Sequence, residues 1–144
     1  MQPSYGGNVA DRYLVQKING ATPEQLAILL LEGAQRFLTQ AIDALQKRDI
    51  PLKARMVNRV SAIIEELTVR LNHEAGGELV ANLASLYEWW LNEIFEGSQK
   101  NKADRLELVL KQMGEIRGTW QELEQRQVQP PPAQQGMGAE GMVG

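Results

Sequence analysis

Residue types that carry chemistry are sparse in this chain of 144 residues. There is no cysteine and only one histidine. That excludes a disulfide framework, a thiolate metal site and a cysteine nucleophile. A di-iron centre inside a helical bundle needs paired Glu-x-x-His motifs. Here the residue three before His73 is Arg70, so that reading fails, and a zinc site fails for want of ligands. His73 falls near a helix end, where a dipole contact or plain solvation accounts for it. Gly76-Gly77 is a turn signal rather than a phosphate loop. Glu65-Glu66 and the other carboxylates stand beside Arg and Lys on polar faces, the pattern of a solvated charged surface rather than a general acid–base pair. With no catalytic constellation, the chain is expected to be no enzyme and to need no cofactor or metal.

What the residues offer instead is apolar and aromatic surface. Trp89 and Trp90 are adjacent, and neighbours on a helix point about 100° apart. Trp90 belongs to an apolar stripe. Trp89 points away from it, and an outward aromatic ring often marks a contact surface, the alternative being a ring lying flat on a neighbouring loop. Gly114 and Gly118, four residues apart beside another stripe, let a neighbouring helix come close, either inside the bundle or as a shallow groove for a partner.

Four amphipathic segments must position these groups. The first is the stretch from Thr22 to Leu45. Thr22 is a good N-cap, Pro23 suits the first helical position, and Gln25 can close a capping box. The helix carries two apolar seams. Leu26, Leu30, Gly33, Phe37, Ala41 and Ala44 form one; Ile28, Leu31, Gln35, Leu38 and Ile42 form the other. A surface helix needs one stripe of about 100°. A second seam implies either a packing partner on each side or a surface that receives a helix from another protein.

This helix is predicted to end near Lys47-Arg48. Asp49 and Pro51 then start a second, with Met56, Val57, Val60, Ile63, Ile64, Leu67 and Leu71 on one side. The third is predicted from about Glu78, with Leu79, Val80, Leu83, Leu86, Tyr87, Trp90, Leu91, Ile94 and Phe95 inward. Gly97-Ser98 and residues 100–102 read as the next turn. The fourth is predicted from about Ala103 to Glu124, with Leu106, Val109, Leu110, Met113, Ile116, Trp120 and Leu123 inward. There is no sustained period-two pattern. The expected fold is all-α: an antiparallel up-down-up-down four-helix bundle over residues 22–124. Residues 1–21 are expected to be a mobile segment with a short helix over Val9–Ile18. Residues 125–144, with Pro130-Pro131-Pro132, are expected to form a disordered Pro/Gly-rich tail.

A formal net charge of −3 gives no basic footprint for nucleic acid. The N-terminus shows no secretory signal pattern. The longest apolar run, Leu26 to Leu31, is too short for membrane insertion. A cytoplasmic protein is the expectation.

These motifs carry a resemblance. Thr22-Pro23-Glu24-Gln25-Leu26, then Leu29 through Gly33-Ala34 and Phe37-Leu38, resemble the start of the long helix in the FliS family of flagellar export chaperones. Ile18-Asn19-Gly20-Ala21-Thr22-Pro23 is similar to that family's Val-Asn-Thr-Ala-Ser-Pro, and Tyr13 holds the family's Tyr nine residues before the cap. Gly76-Gly77-Glu78-Leu79, Asn82-Leu83, Leu86-Tyr87 and Trp120 are similar as well, so the resemblance covers about residues 9 to 124. The chain departs from the family at Leu31 and Glu32, where Tyr and Asp are usual, and in its tail.

The resemblance implies a bacterial cytosolic chaperone. It would bind the disordered C-terminal segment of flagellin, prevent premature polymerisation and deliver the subunit to the flagellar type III export gate. Such a client folds on its carrier as amphipathic helices lying in apolar grooves. The expected groove residues are Ile28, Leu31, Leu38, Ile42, Trp89, Gly114 and Gly118. Val9, Tyr13 and Ile18 are expected to cover the client surface when it is empty. The alternatives are a helical adaptor that pairs as a homodimer through the second seam, and a type III chaperone for a different client.

Overall fold

The computed structural model describes residues 19–128. Val9, Tyr13 and Ile18, and the tail beyond residue 128, lie outside the described residues. Four helices follow one another: α1 (Pro23–Gln46), α2 (Ile50–Val69), α3 (His73–Gln99) and α4 (Ala103–Val128). Three-residue links force each helix back along its predecessor. The result is an up-down-up-down bundle, with no strand among the described residues. α1 packs along both α2 and α4, and α3 closes the ring between those two.

The helix ends show why the links are so short. At the start of α1, Thr22 Oγ1 accepts from the Gln25 amide at 3.1 Å, and Gln25 Oε1 accepts from the Thr22 amide at 3.0 Å. This reciprocal pair is the capping box. At the far end Arg48 takes a left-handed φ of 61°. The Asp49 amide then reaches Ala44 O at 2.9 Å and the Arg48 amide reaches Leu45 O at 3.2 Å, which closes the helix with a Schellman motif. Asp49 starts α2 at once, its Oδ1 accepting from the Leu52 amide. Asn101, at φ 59°, turns the chain from α3 to α4 in the same way, with the Lys102 amide on Gly97 O at 2.8 Å.

The core runs the length of the bundle. Leu31, Leu38, Val60, Ile64, Tyr87, Trp90, Ile94, Leu106, Val109 and Met113 have no exposed surface. Each fully buried Leu or Ile contributes about 1.5–3 kcal/mol of transfer free energy. Two polar bonds stitch α3 to its neighbours: Trp90 Nε1 donates to Gln112 Oε1 at 2.9 Å, and Lys53 Nζ donates to Ser98 O at 3.1 Å. Near the last link, Arg105 grips Glu93 through Nε at 3.0 Å and Nη2 at 2.8 Å and also reaches Glu96.

Several expectations change. α3 begins at His73, four residues before a break at Gly77 (φ 57°, ψ −135°). That non-helical backbone favours glycine, so Gly77 separates a single helical turn opened by His73 from the long run that starts at Glu78, where the sequence places the third helix. His73 therefore opens a helix, where the dipole offers a cation nothing. Gly97-Ser98 is no turn: both residues are buried inside α3. A Cβ at Gly97 would lie 2.6 Å from Leu106 Cδ1 and 3.1 Å from Arg105 Cβ, so glycine here serves the close approach of α4. α4 runs to Val128 rather than Glu124, because Gln, Glu and Arg are good helix formers. Leu79 and Phe95 flank the α3 stripe and are 55% and 58% exposed.

Candidate functional site

Because the helices alternate in direction, the start of α1 and the end of α4 share one end of the bundle with the α2–α3 link. An apolar recess of about 320 Å³ opens there. Pro23, Leu26 and Leu30 of α1, Leu67 near the end of α2, Leu71 of the α2–α3 link, Tyr87 of α3 and Trp120 of α4 all line it. Ala21 stands at its edge, so the chain preceding the bundle arrives at the recess. Arg70 at the rim is tied to Glu66 by a 2.6 Å ion pair.

Tyr87 brings a hydroxyl to the wall of this recess. Its ring packs on Trp90 with centroids 5.2 Å apart. Its side chain has no exposed surface, and its hydroxyl finds no hydrogen-bond partner within the protein. Burial pushes the hydroxyl above its ordinary pKa, with nearby Trp120 partly opposing the shift. A buried, unmatched donor costs stability, and such groups in native folds call for an explanation.

A second depression, of about 300 Å³, lies beside the first on the α1–α4 side, lined by Gln25, Ile28, Leu29, Glu32 and Glu124. Gln25 Nε2 donates to Glu124 Oε2 at 2.9 Å across it. Further along the same pair of helices, an open notch of about 410 Å³ is lined by Glu32, Gln35, Arg36, Thr39, Leu110 and Arg117. Gly114 borders it: a Cβ there would come 3.3 Å from Gln35 Nε2. At Gly118 a Cβ would meet nothing within 4 Å.

The expected groove residues divide. Leu31 and Leu38 have no exposed surface and Ile42 only 8%. They are core, because the second seam of α1 faces the interior of its own bundle. Ile28 is also largely buried but lines the α1–α4 depression. Trp89 is 38% exposed. It lies one turn before Glu93, which bonds Arg105, so it borders the α3–α4 seam. Leu108, one turn beyond Arg105, is exposed on the other flank of that seam. Gly114 and Gly118 stay at the surface between α1 and α4. Tyr87 and Trp120 each belong to a core stripe of their own helix, and the recess between them appears only once the helices are packed. Arg117 belongs to no motif, and its signal in the sequence is Gln35, a polar residue within an apolar seam, which accepts from Arg117 Nη1.

Among the described residues no three His, Cys, Asp or Glu side chains gather to hold a metal. None of the four helices among the described residues is long and apolar enough to cross a membrane. The site is a set of apolar and polar recesses on a four-helix bundle. The family model for "Flagellar protein FliS" matches residues 6–127. Similar proteins include a "Flagellar secretion chaperone FliSB" of Pseudomonas aeruginosa, 32% identical and covering 72% of this chain and 82% of its own length. The "Flagellar secretion chaperone FliS" of Vibrio cholerae is 30% identical, covering 74% and 79%. That of Bacillus subtilis is 26% identical, covering 76% and 81%. The chain belongs to the FliS family.

Proposed function

We propose that this protein is a cytoplasmic, non-enzymatic chaperone for flagellin. It binds the disordered C-terminal segment of flagellin, keeps it from polymerising early and delivers it to the flagellar type III export apparatus. Family membership supports the flagellar export setting. The observation that carries the binding mode is the apolar recess at the end of the bundle. A volume of about 320 Å³ holds one or two large apolar side chains. A client that folds into amphipathic helices presents such side chains on its apolar face.

The client path runs from the recess over the depression at Ile28 and along the surface at Gly114 and Gly118, with Trp89 as a further contact. Leu31, Leu38 and Ile42 support that surface from beneath. Val9, Tyr13 and Ile18 belong to a segment that joins the bundle beside Ala21, at the recess, and covers it when the client is absent. The test uses full-length flagellin and a version lacking its last ~40 residues, enough for several helical turns. The full-length protein is expected to bind and the shortened one to bind at least a hundredfold more weakly. Equal binding of both would reject the C-terminal segment as the client.

A further inference from the structure

The arginine of the α1–α4 notch is unlike the others. Arg117 Nη1 donates to Gln35 Oε1 at 2.7 Å. Its Nε is buried and has no acceptor within the protein. The edge formed by Nε and Nη2 is the one that grips a carboxylate through two parallel hydrogen bonds. Arg105 uses that edge on Glu93. At Arg117 the same edge is unmatched, and no carboxylate lies within ion-pair distance of it among the described residues. Arg36, on the wall of the notch, forms no ion pair there either. The notch thus holds two guanidinium groups against the single carboxylate of Glu32.

A partly buried guanidinium without an anion costs stability, and the surroundings are shaped around it. Gln35 interrupts an apolar seam to hold one end of the group. Gly114 leaves room for Gln35, since a Cβ would press to 3.3 Å from its amide nitrogen. Gly118, one turn on, leaves open space on the same face. A helix laid along α1 and α4 therefore meets no side chain at Gly118, one residue from Arg117.

The geometry points to a carboxylate subsite: the notch takes one acidic side chain, Asp or Glu, of the client segment, and Arg117, whose Nε is covered in the free protein, shifts within the wall of the notch to clamp it through the Nε–Nη2 edge. This rests on the chaperone reading above and adds to it a polar register mark, which fixes where along the groove the client helix stops. Apolar burial supplies affinity but little register; a two-bonded carboxylate supplies both direction and position.

The test is calorimetric titration of the full chain with a peptide of the last ~40 residues of flagellin, amidated at its C-terminus. Wild type is expected to bind, less tightly as salt rises. Arg117→Gln is expected to bind about tenfold more weakly, as when one partner of a charge pair is lost, with a flatter salt response. Arg117→Lys, which keeps the charge but loses the fork, should fall between. Replacing the acidic residues of the peptide one at a time by their amides should find one whose cost disappears in Arg117→Gln. Circular dichroism melting confirms the fold of each variant, and if Arg117→Gln is unfolded the same cycle is run with Arg117→Lys. Wild-type affinity in the folded variant, or no coupled acidic residue, overturns the subsite and leaves the chaperone reading intact. Binding that needs a free peptide C-terminus overturns it too, by assigning the carboxylate to the chain end. No binding by wild type removes the chaperone reading and the subsite with it.

Discussion

Leu31 and Leu38 stand with no exposed surface where α1 meets the rest of the bundle, so their side chains act on folding. Leu31→Ala and Leu38→Ala should each destabilise the protein by about 2–5 kcal/mol, the range for large-to-small changes in a close-packed core, read by urea denaturation. A folded variant with full stability and lost client binding would return them to the surface. Polar residues act differently. The Arg105 hydrogen bond holds the Glu93 carboxyl below the usual glutamate range, and burial opposes it only in part. The unfolded chain therefore takes up the proton more readily. The stability gained is complete above the ordinary glutamate pKa and is lost as pH falls through the lowered folded value. Glu93→Gln should melt at a lower temperature than wild type at pH 7, and the gap should close as the pH drops through that range. A gap that persists unchanged into strong acid would show that packing rather than charge is responsible.

At the scale of the helix, the sequence is a good guide where signals are local and a poor one where they are not. The capping box at Thr22, the Asp49-Pro51 start and the stripe of α2 are set by neighbours a few residues away, and each appears as read. Both seams of α1 are apolar, and nothing in α1 itself says that its two neighbours are α2 and α4 of the same chain. The core placement of Leu31, Leu38 and Ile42 is therefore not legible in α1 alone. Gly97-Ser98 carries a turn signature, yet α4 passes so close that glycine is needed inside the helix. The exposure of Leu79 and Phe95 shows the converse: an apolar residue one step off the stripe reads as core and is not. Gly118 separates propensity from function. With no atom near its missing Cβ, Gly118→Ala should stabilise the free protein by up to about 1 kcal/mol, the helix-propensity difference. If a client helix packs closely there, the same change should weaken client binding. Stabilisation with unchanged binding would remove Gly118 from the client path.

For the whole molecule, the antiparallel order brings both ends of the described chain to one end of the bundle, beside the recess. The fold class was legible because four apolar stripes joined by short links have few other arrangements. The recess was not, since it is built by side chains from all four helices and no single stripe contains it. If residues 1–18 cover that recess, deleting them should leave a bundle with unchanged helical content and client affinity equal to or tighter than that of the full chain, measured by titration. Clear loss of affinity would instead make the segment part of the binding surface.

The central claim is that a disordered client folds on the apolar surface of this bundle. The most direct measurement is the heat-capacity change of binding, from calorimetric titrations at several temperatures with the isolated flagellin C-terminal peptide, together with the far-ultraviolet circular dichroism of the mixture. The account predicts a large negative heat-capacity change and more helical signal than the sum of the separate components. Binding with neither signature would contradict it, and so would no binding at all.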